Sequence, residues 1–216
     1  MNLLNEMKSN KTFRSITIFI GIFSLFFPFL ETKANEYKKG FYTSASIGLG
    51  KYSGMLQTHT ENNVQSDYPH DAGFNYEANI GYDFGKKYRF DLSYNNNSSK
   101  IESGRHAFIS SLMLNGYIDF PIEDSKWEPF IGLGIGTTNV NGTNTCFQGG
   151  VDDCVDDVLT IGVSGGVNYA LSKTIDLTSK LTYYKFDDIT MIDSGRTINA
   201  NDTFNVVANM GLKFKF

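Results

Sequence analysis

Basic stripes, long apolar runs beyond the N-terminus, and clustered histidines are all missing from this chain, and only four prolines and two cysteines occur in its 216 residues. With no row of Lys and Arg to neutralise phosphates, nucleic acid is excluded as a partner. After residue 30 no segment approaches the about 20 apolar residues of a membrane-spanning helix. Nor does any stretch hold a 3.6-residue period, so a helical fold is not expected. No Pro-rich or polar low-complexity block marks a disordered region. The three histidines, His59, His70 and His106, stand singly, which leaves no metal-ligand cluster and no His–Ser–carboxylate grouping for catalysis. No cofactor and no enzyme activity are therefore expected.

What is present begins with a secretory pattern. Lys8, Lys11 and Arg14 form a basic region, Ser15 to Leu30 an apolar one, and Thr32-Lys33-Ala34 a small-x-small cleavage site. The cut is expected after Ala34, giving a signal peptide over 1–34 and a mature domain over 35–216. The alternative is an uncleaved anchor, against which Pro28 counts; Met7 is an alternative start. Export places Cys146 and Cys154 in an oxidising compartment, where a disulfide closing a small loop is the economical reading. Free thiols or a metal site are the alternatives, and a metal would need further ligands.

The recurring period is two. Phe74, Tyr76, Ala78, Ile80, Tyr82 and Phe84 alternate with Asn75, Glu77, Asn79, Gly81 and Asp83; seven further stretches behave alike, starting at Phe41, Tyr88, Ala107, Trp127, Val158, Ile175 and Phe204. In the fourth, Ile109 and Met113 blur the pattern. Connections alternate between short (85–87, 121–126, 171–174) and longer (51–73, 95–106, 139–157, 187–202). Short turns at one end and long loops at the other predict an all-β fold, an eight-stranded antiparallel up-and-down transmembrane β-barrel. The less apolar face is built of Ser44, Ser46, Gly48, Gly132, Gly134, Gly136 and Gly166, small residues suited to a crowded lumen rather than to water. Aromatics on the other face cluster at both ends: Phe84, Tyr88, Phe120, Trp127, Tyr169 and Phe214 toward the turns, Phe74, Tyr94, Phe108, Tyr183 and Phe204 toward the loops. A soluble lipocalin-like barrel is the second reading.

Four stretches carry a family resemblance: Gly40-Phe41-Tyr42, Asn115-Gly116-Tyr117-Ile118-Asp119-Phe120, Glu128-Pro129-Phe130-Ile131-Gly132-Leu133-Gly134-Ile135-Gly136, and the terminal Asn209 to Phe216. With them the chain from residue 35 resembles the opacity-type and OmpA-like family of eight-stranded outer-membrane proteins. That resemblance implies the outer membrane of a Gram-negative-type bacterium, with lipid and lipopolysaccharide around the wall. It also implies periplasmic chaperones and the barrel-assembly machinery as partners, and an assembly signal at Asn209, Gly211, Phe214 and Phe216. The glycine-alternating stretch is no nucleotide loop, because no helix follows it.

Charges expected to face the lumen are Glu77, Asp83, Arg89, Asp91, Asp119, Glu128, Asp176, Lys180, Lys213 and Lys215. Across the 85–87 turn, Asp83 and Arg89 are expected to pair, either as a selectivity constriction or as plain filling of a narrow barrel. Asp119 and Glu128 are expected to face each other across the second turn. Asp152, Asp153, Asp156 and Asp157 in the third loop, and Asp187 and Asp188 in the fourth, read as a solvated acidic rim, with a loop ligand or a Ca²⁺ contact as the alternative. The expected function is a surface-antigen, adhesive or envelope-structural protein displaying four loops; the alternative is a narrow porin.

Overall fold

The computed structural model describes residues 39–53, 55–59, 64–68, 71–85, 87–100, 106–141, 155–193, 196–200 and 202–216. In chain order its strands are β1 (Gly40–Tyr52), β2 (Met55–His59), β3 (Val64–Tyr68), β4 (Gly73–Asp83), β5 (Tyr88–Lys100), β6 (His106–Asp119), β7 (Trp127–Asn141), β8 (Val155–Ala170), β9 (Ile175–Phe186), β10 (Ile189–Asp193), β11 (Arg196–Ala200) and β12 (Phe204–Lys215). Eight of them close into a barrel in the order β1-β12-β9-β8-β7-β6-β5-β4. Every neighbouring pair is antiparallel, and the last pairing, β1 with β12, runs from Tyr42 opposite Lys215 to Tyr52 opposite Asn205. Closure leaves no open edge of N–H and C=O groups, which a hydrocarbon setting demands.

The alternation sorts the faces as expected. Leu133 on the outer wall is 67% exposed whereas Glu77 inside is 2% exposed, an inversion of the soluble pattern. Outward-facing Phe41, Ile47, Ile80, Leu114, Ile161 and Leu181 are all exposed. A continuous apolar band of that kind needs lipid to cover it. The aromatic ends of the band hold, with Phe84, Tyr88 and Phe120 at the turns and Phe74, Tyr94 and Phe108 at the loops. Tyr169 is an exception: Trp127 lies across it, ring centroids 4.7 Å apart, and covers it.

The short turns are where the sequence puts them. Gly85 takes φ +77°, a left-handed conformation that favours glycine, and Phe84 N–H donates to Tyr88 O across that turn. Ser172 Oγ accepts from the Thr174 and Ile175 amides in the third.

At the other end the strands run further than the alternation indicates. β5 and β6 stay paired up to Lys100 opposite His106, so the connection expected over 95–106 shrinks to 101–105. β7 and β8 pair up to Asn141 opposite Val155. The long connections 51–73 and 187–202 are not plain loops either: β2, β3, β10 and β11 form a separate four-stranded sheet, in the order β10-β11-β2-β3. Each of these short strands continues a barrel strand, β10 following β9, β11 leading into β12, β2 following β1 and β3 leading into β4. The sheet therefore repeats the order β9-β12-β1-β4 of the wall it grows from. Its register is inherited from the barrel, which is why five-residue strands form there without a clear alternation of their own.

Candidate functional site

The lumen is charged toward the short turns, and toward the long loops it carries an apolar cluster beside uncharged amides and hydroxyls. In the charged half, Arg89 Nε donates to both oxygens of Asp119 at 3.0 and 3.1 Å. Its guanidinium lies 4.2 Å from the Tyr117 ring centroid and 4.4 Å from that of Phe130, so the charge is held between two rings. The register sets Asp83 opposite Arg89 as anticipated, yet the expected Asp83–Arg89 pair gives way to Arg89–Asp119. Asp83 Oδ1 instead accepts the Gly85 N–H at 2.8 Å. A short carboxylate beside a tight turn serves that turn's own amide, while Asp119 on the next strand comes within reach of the long arginine.

Asp119 and Glu128 each have their own counter-group. Glu128 accepts from Asn168 Nδ2 at 3.0 Å and lies 4.0 Å from Lys213 Nζ. Asp176 holds Lys213 at 3.1 Å and Lys215 at 2.9 Å. Asp91 accepts from Tyr42 Oη at 2.9 Å and from Asn115 Nδ2 at 2.8 Å. Near mid-barrel Glu77 takes Lys180 Nζ from across the lumen, with Asn79 Nδ2 at 2.8 Å and Asn209 Nδ2 at 3.3 Å. These carboxylates are paired and hydrogen-bonded, an arrangement that fills a narrow barrel rather than one poised for proton transfer.

The small residues of the inner face are seats for large ones. A Cβ at Gly132 would lie 2.4 Å from Tyr117 Cδ1, and one at Gly81 would lie 2.6 Å from Tyr42 Cζ. Both tyrosines thus lean flat over glycines of neighbouring strands, and they could not do so over alanine without moving.

Toward the long loops part of the inner face turns apolar, beside buried Asn75, Asn97, Thr138 and Thr160. Ile109, Met113, Val140, Val158, Phe186 and Val207 pack with Tyr52, Tyr184 and Ile189 into one buried cluster. Tyr52 and Phe186 stack with ring centroids 5.5 Å apart and planes at 9°. Ile189, the first residue of β10, is fully buried, so the base of the loop sheet reaches into the barrel mouth. Ile109 and Met113, which blur the alternation of β6, are inner residues of this seal. The signal in the sequence is that both faces of β6 become apolar around Ile109 and Met113, and that Val207 interrupts the polar row of β12. Within the charged half lies a cavity of about 20 Å³ bordered by Ser46, Glu77, Asn79, Arg89, Lys180 and Asn209.

At the loop end, Asp157 Oδ1 accepts from Asn139 Nδ2, and Asp187 Oδ1 from the Asp188 amide. Lys185 reaches Asp202 at 2.8 Å, and its hydrogen bond holds that exposed carboxyl below its usual range. No trio of metal-ligating residues gathers among the described residues. Cys146 and Cys154, with Asp152 and Asp153, lie outside the described residues, as do the side chains of Asp156 and the three histidines. In the terminal strand Asn209 points inward to Glu77, Phe216 is exposed, and its N–H donates to Phe41 O at 2.9 Å.

A closed antiparallel barrel that is apolar outside and ionic inside defines an integral membrane protein crossing lipid with strands. The sequence pattern of the outer membrane protein beta-barrel domain matches residues 20–216, and the chain belongs to that family. Its setting is accordingly the outer membrane of a Gram-negative-type bacterium. Among solved structures it is similar to Neisserial surface protein A, at 17% identity over 84% of this chain and 99% of that one, with a TM-score of 0.60. It is similar also to the outer membrane protein AlkL determined in lipid bilayers, at 13% identity over 88% and 96% of the two chains, again with a TM-score of 0.60. These likenesses are of fold. No curated protein matches the chain.

Proposed function

We propose that the protein is a non-conducting barrel that presents its long connections at the cell surface, with an adhesive, antigenic or envelope-structural role carried by those connections. One observation carries this reading. The lumen is crossed by paired charges and by an apolar cluster, with one small cavity of about 20 Å³ described within it, while two of the long connections are built into a four-stranded sheet beyond the barrel wall. A solid wall has little to offer as a path, whereas ordered loops on a rigid scaffold are where recognition is placed. The narrow-porin alternative requires a continuous wet path past Met113 and Ile189, both fully buried.

Ion conductance of the refolded 35–216 domain in planar bilayers tests the choice, with heat-modifiable gel mobility as the check on folding. Folded protein with no steady conductance is the expected result. Discrete, reproducible steps would instead promote the porin and make the lumen charges its filter.

The same proposal has the chain exported by cleavage after Ala34, delivered by periplasmic chaperones and inserted by the assembly machinery through its terminal strand, with Cys146 and Cys154 joined. Intact mass of protein purified from outer membranes, taken with and without reductant after thiol alkylation, addresses two of these points. The expected chain starts at Asn35 and takes up alkylating reagent only once reduced; retention of residues 1–34, or labelling without reductant, would count against them.

A further inference from the structure

Four buried polar atoms have no protein partner and belong to residues that border the mid-lumen cavity: Ser46 Oγ on β1, Asn79 Oδ1 on β4, Arg89 Nη2 on β5 and Asn209 Oδ1 on β12. Buried groups of this kind are ordinarily satisfied. The amide orientations are set by their other bonds. Asn79 Nδ2 donates to Glu77 Oε1 and to Ser44 Oγ, each at 2.8 Å, and Asn209 Nδ2 donates to Glu77 Oε2. In both residues it is therefore the oxygen that is left over.

The leftover set consists of two acceptors, one obligate donor and one hydroxyl free to donate. A cation there would face Arg89 and Lys180, and an anion would face two amide oxygens and the carboxylates of Glu77 and Asp91. Water can donate to both amide oxygens and accept from Arg89 Nη2 and Ser46 Oγ. The volume agrees, since about 20 Å³ exceeds the roughly 10–15 Å³ that one water needs and leaves little room beyond a second.

We propose that the lumen binds one structural water, two at most, which ties β1, β4 and β5 to β12 across the seam where the barrel closes. Arg89, paired with Asp119, and Lys213, paired with Asp176, border the site, and a water held there by four polar atoms exchanges more slowly than surface water. Asn209, on the closing strand, contributes an atom to each half of this arrangement: its Nδ2 to Glu77 and its Oδ1 to the water.

Oxygen-17 relaxation dispersion of the refolded barrel in detergent micelles reads slowly exchanging internal water and ignores the fast surface layer. The wild type is expected to show a dispersion step equivalent to one or two waters. Ser46→Val, which puts methyl groups into the cavity, should remove it; Ser46→Ala should keep it with a shorter residence. Asn79→Leu serves as a second filling variant if Ser46→Val does not give the heat-modifiable folded form. A folded wild-type barrel without the step overturns the proposal. So does a step that survives unchanged in a folded filling variant, because that water would then sit elsewhere, for example beside the unpartnered Asn97 amide.

Discussion

Glu77→Ala is expected to destabilise the folded barrel by about 3–5 kcal/mol, the range for removing one partner of a buried ion pair. Lys180 Nζ keeps its charge in a place where its side chain is 8% exposed. Asn79 and Asn209 each lose the carboxylate oxygen to which they donate. The lost contact joins β4 to β9 and, through Asn209, to β12, so its removal weakens the tie between the first hairpin and the last. Glu77→Gln should cost less, since it retains an acceptor and loses only the charge. Replacing both members, Glu77→Leu with Lys180→Leu, should recover much of the loss, because no uncompensated charge remains. Urea unfolding of the refolded protein, followed by the fluorescence of Trp127, the chain's one tryptophan, measures all three. A Glu77→Ala midpoint equal to that of the wild type would show that the pair contributes nothing to stability.

The faces of this barrel are legible in its sequence because lipid and lumen impose opposite demands on consecutive residues. Phe74 to Phe84 shows the period without interruption, and the structure keeps every one of those assignments. Which inner charges meet is less legible. Alternation says that Asp83 and Arg89 point inward on paired strands, but whether the guanidinium turns to Asp83 or Asp119 depends on the turn amide that Asp83 accepts. The seal is only partly legible: Ile109 and Met113 stand out as faults in a polar row, Val140 and Val158 join them from the next two strands, and only the barrel's closure adds Val207 from the far end of the chain. The loop sheet could not be seen locally. Met55–His59 and Ile189–Asp193 owe their pairing to the barrel strands they extend, a long-range condition absent from any window of five residues.

Gly211→Val is expected to prevent closure altogether, a larger effect than the roughly 1–3 kcal/mol of ordinary overpacking. A Cβ at this position would lie 2.1 Å from Ala45 O and 2.4 Å from Ser46 Cβ, and the first of these is backbone of the partner strand and cannot turn aside. Ser46 and Gly211 are opposite one another in the β1–β12 ladder, so the clash falls on the seam itself. With the seam open, two strands would present unpaired amides to hydrocarbon. The expected result of refolding Gly211→Val into detergent, with no cellular factor present, is loss of the heat-modifiable band. Deleting Phe216 should behave differently. That residue is 72% exposed, and its one backbone tie is to Phe41 O. The shortened chain should refold in detergent with little loss, while its level in the outer membrane of cells should fall if the terminal residues act as an assembly signal. The pair of variants separates two reasons for the same terminal pattern: the glycine as a requirement of close approach between strands, the aromatic end as a feature to be recognised. Normal refolding of Gly211→Val would remove the first reason and leave recognition to account for both.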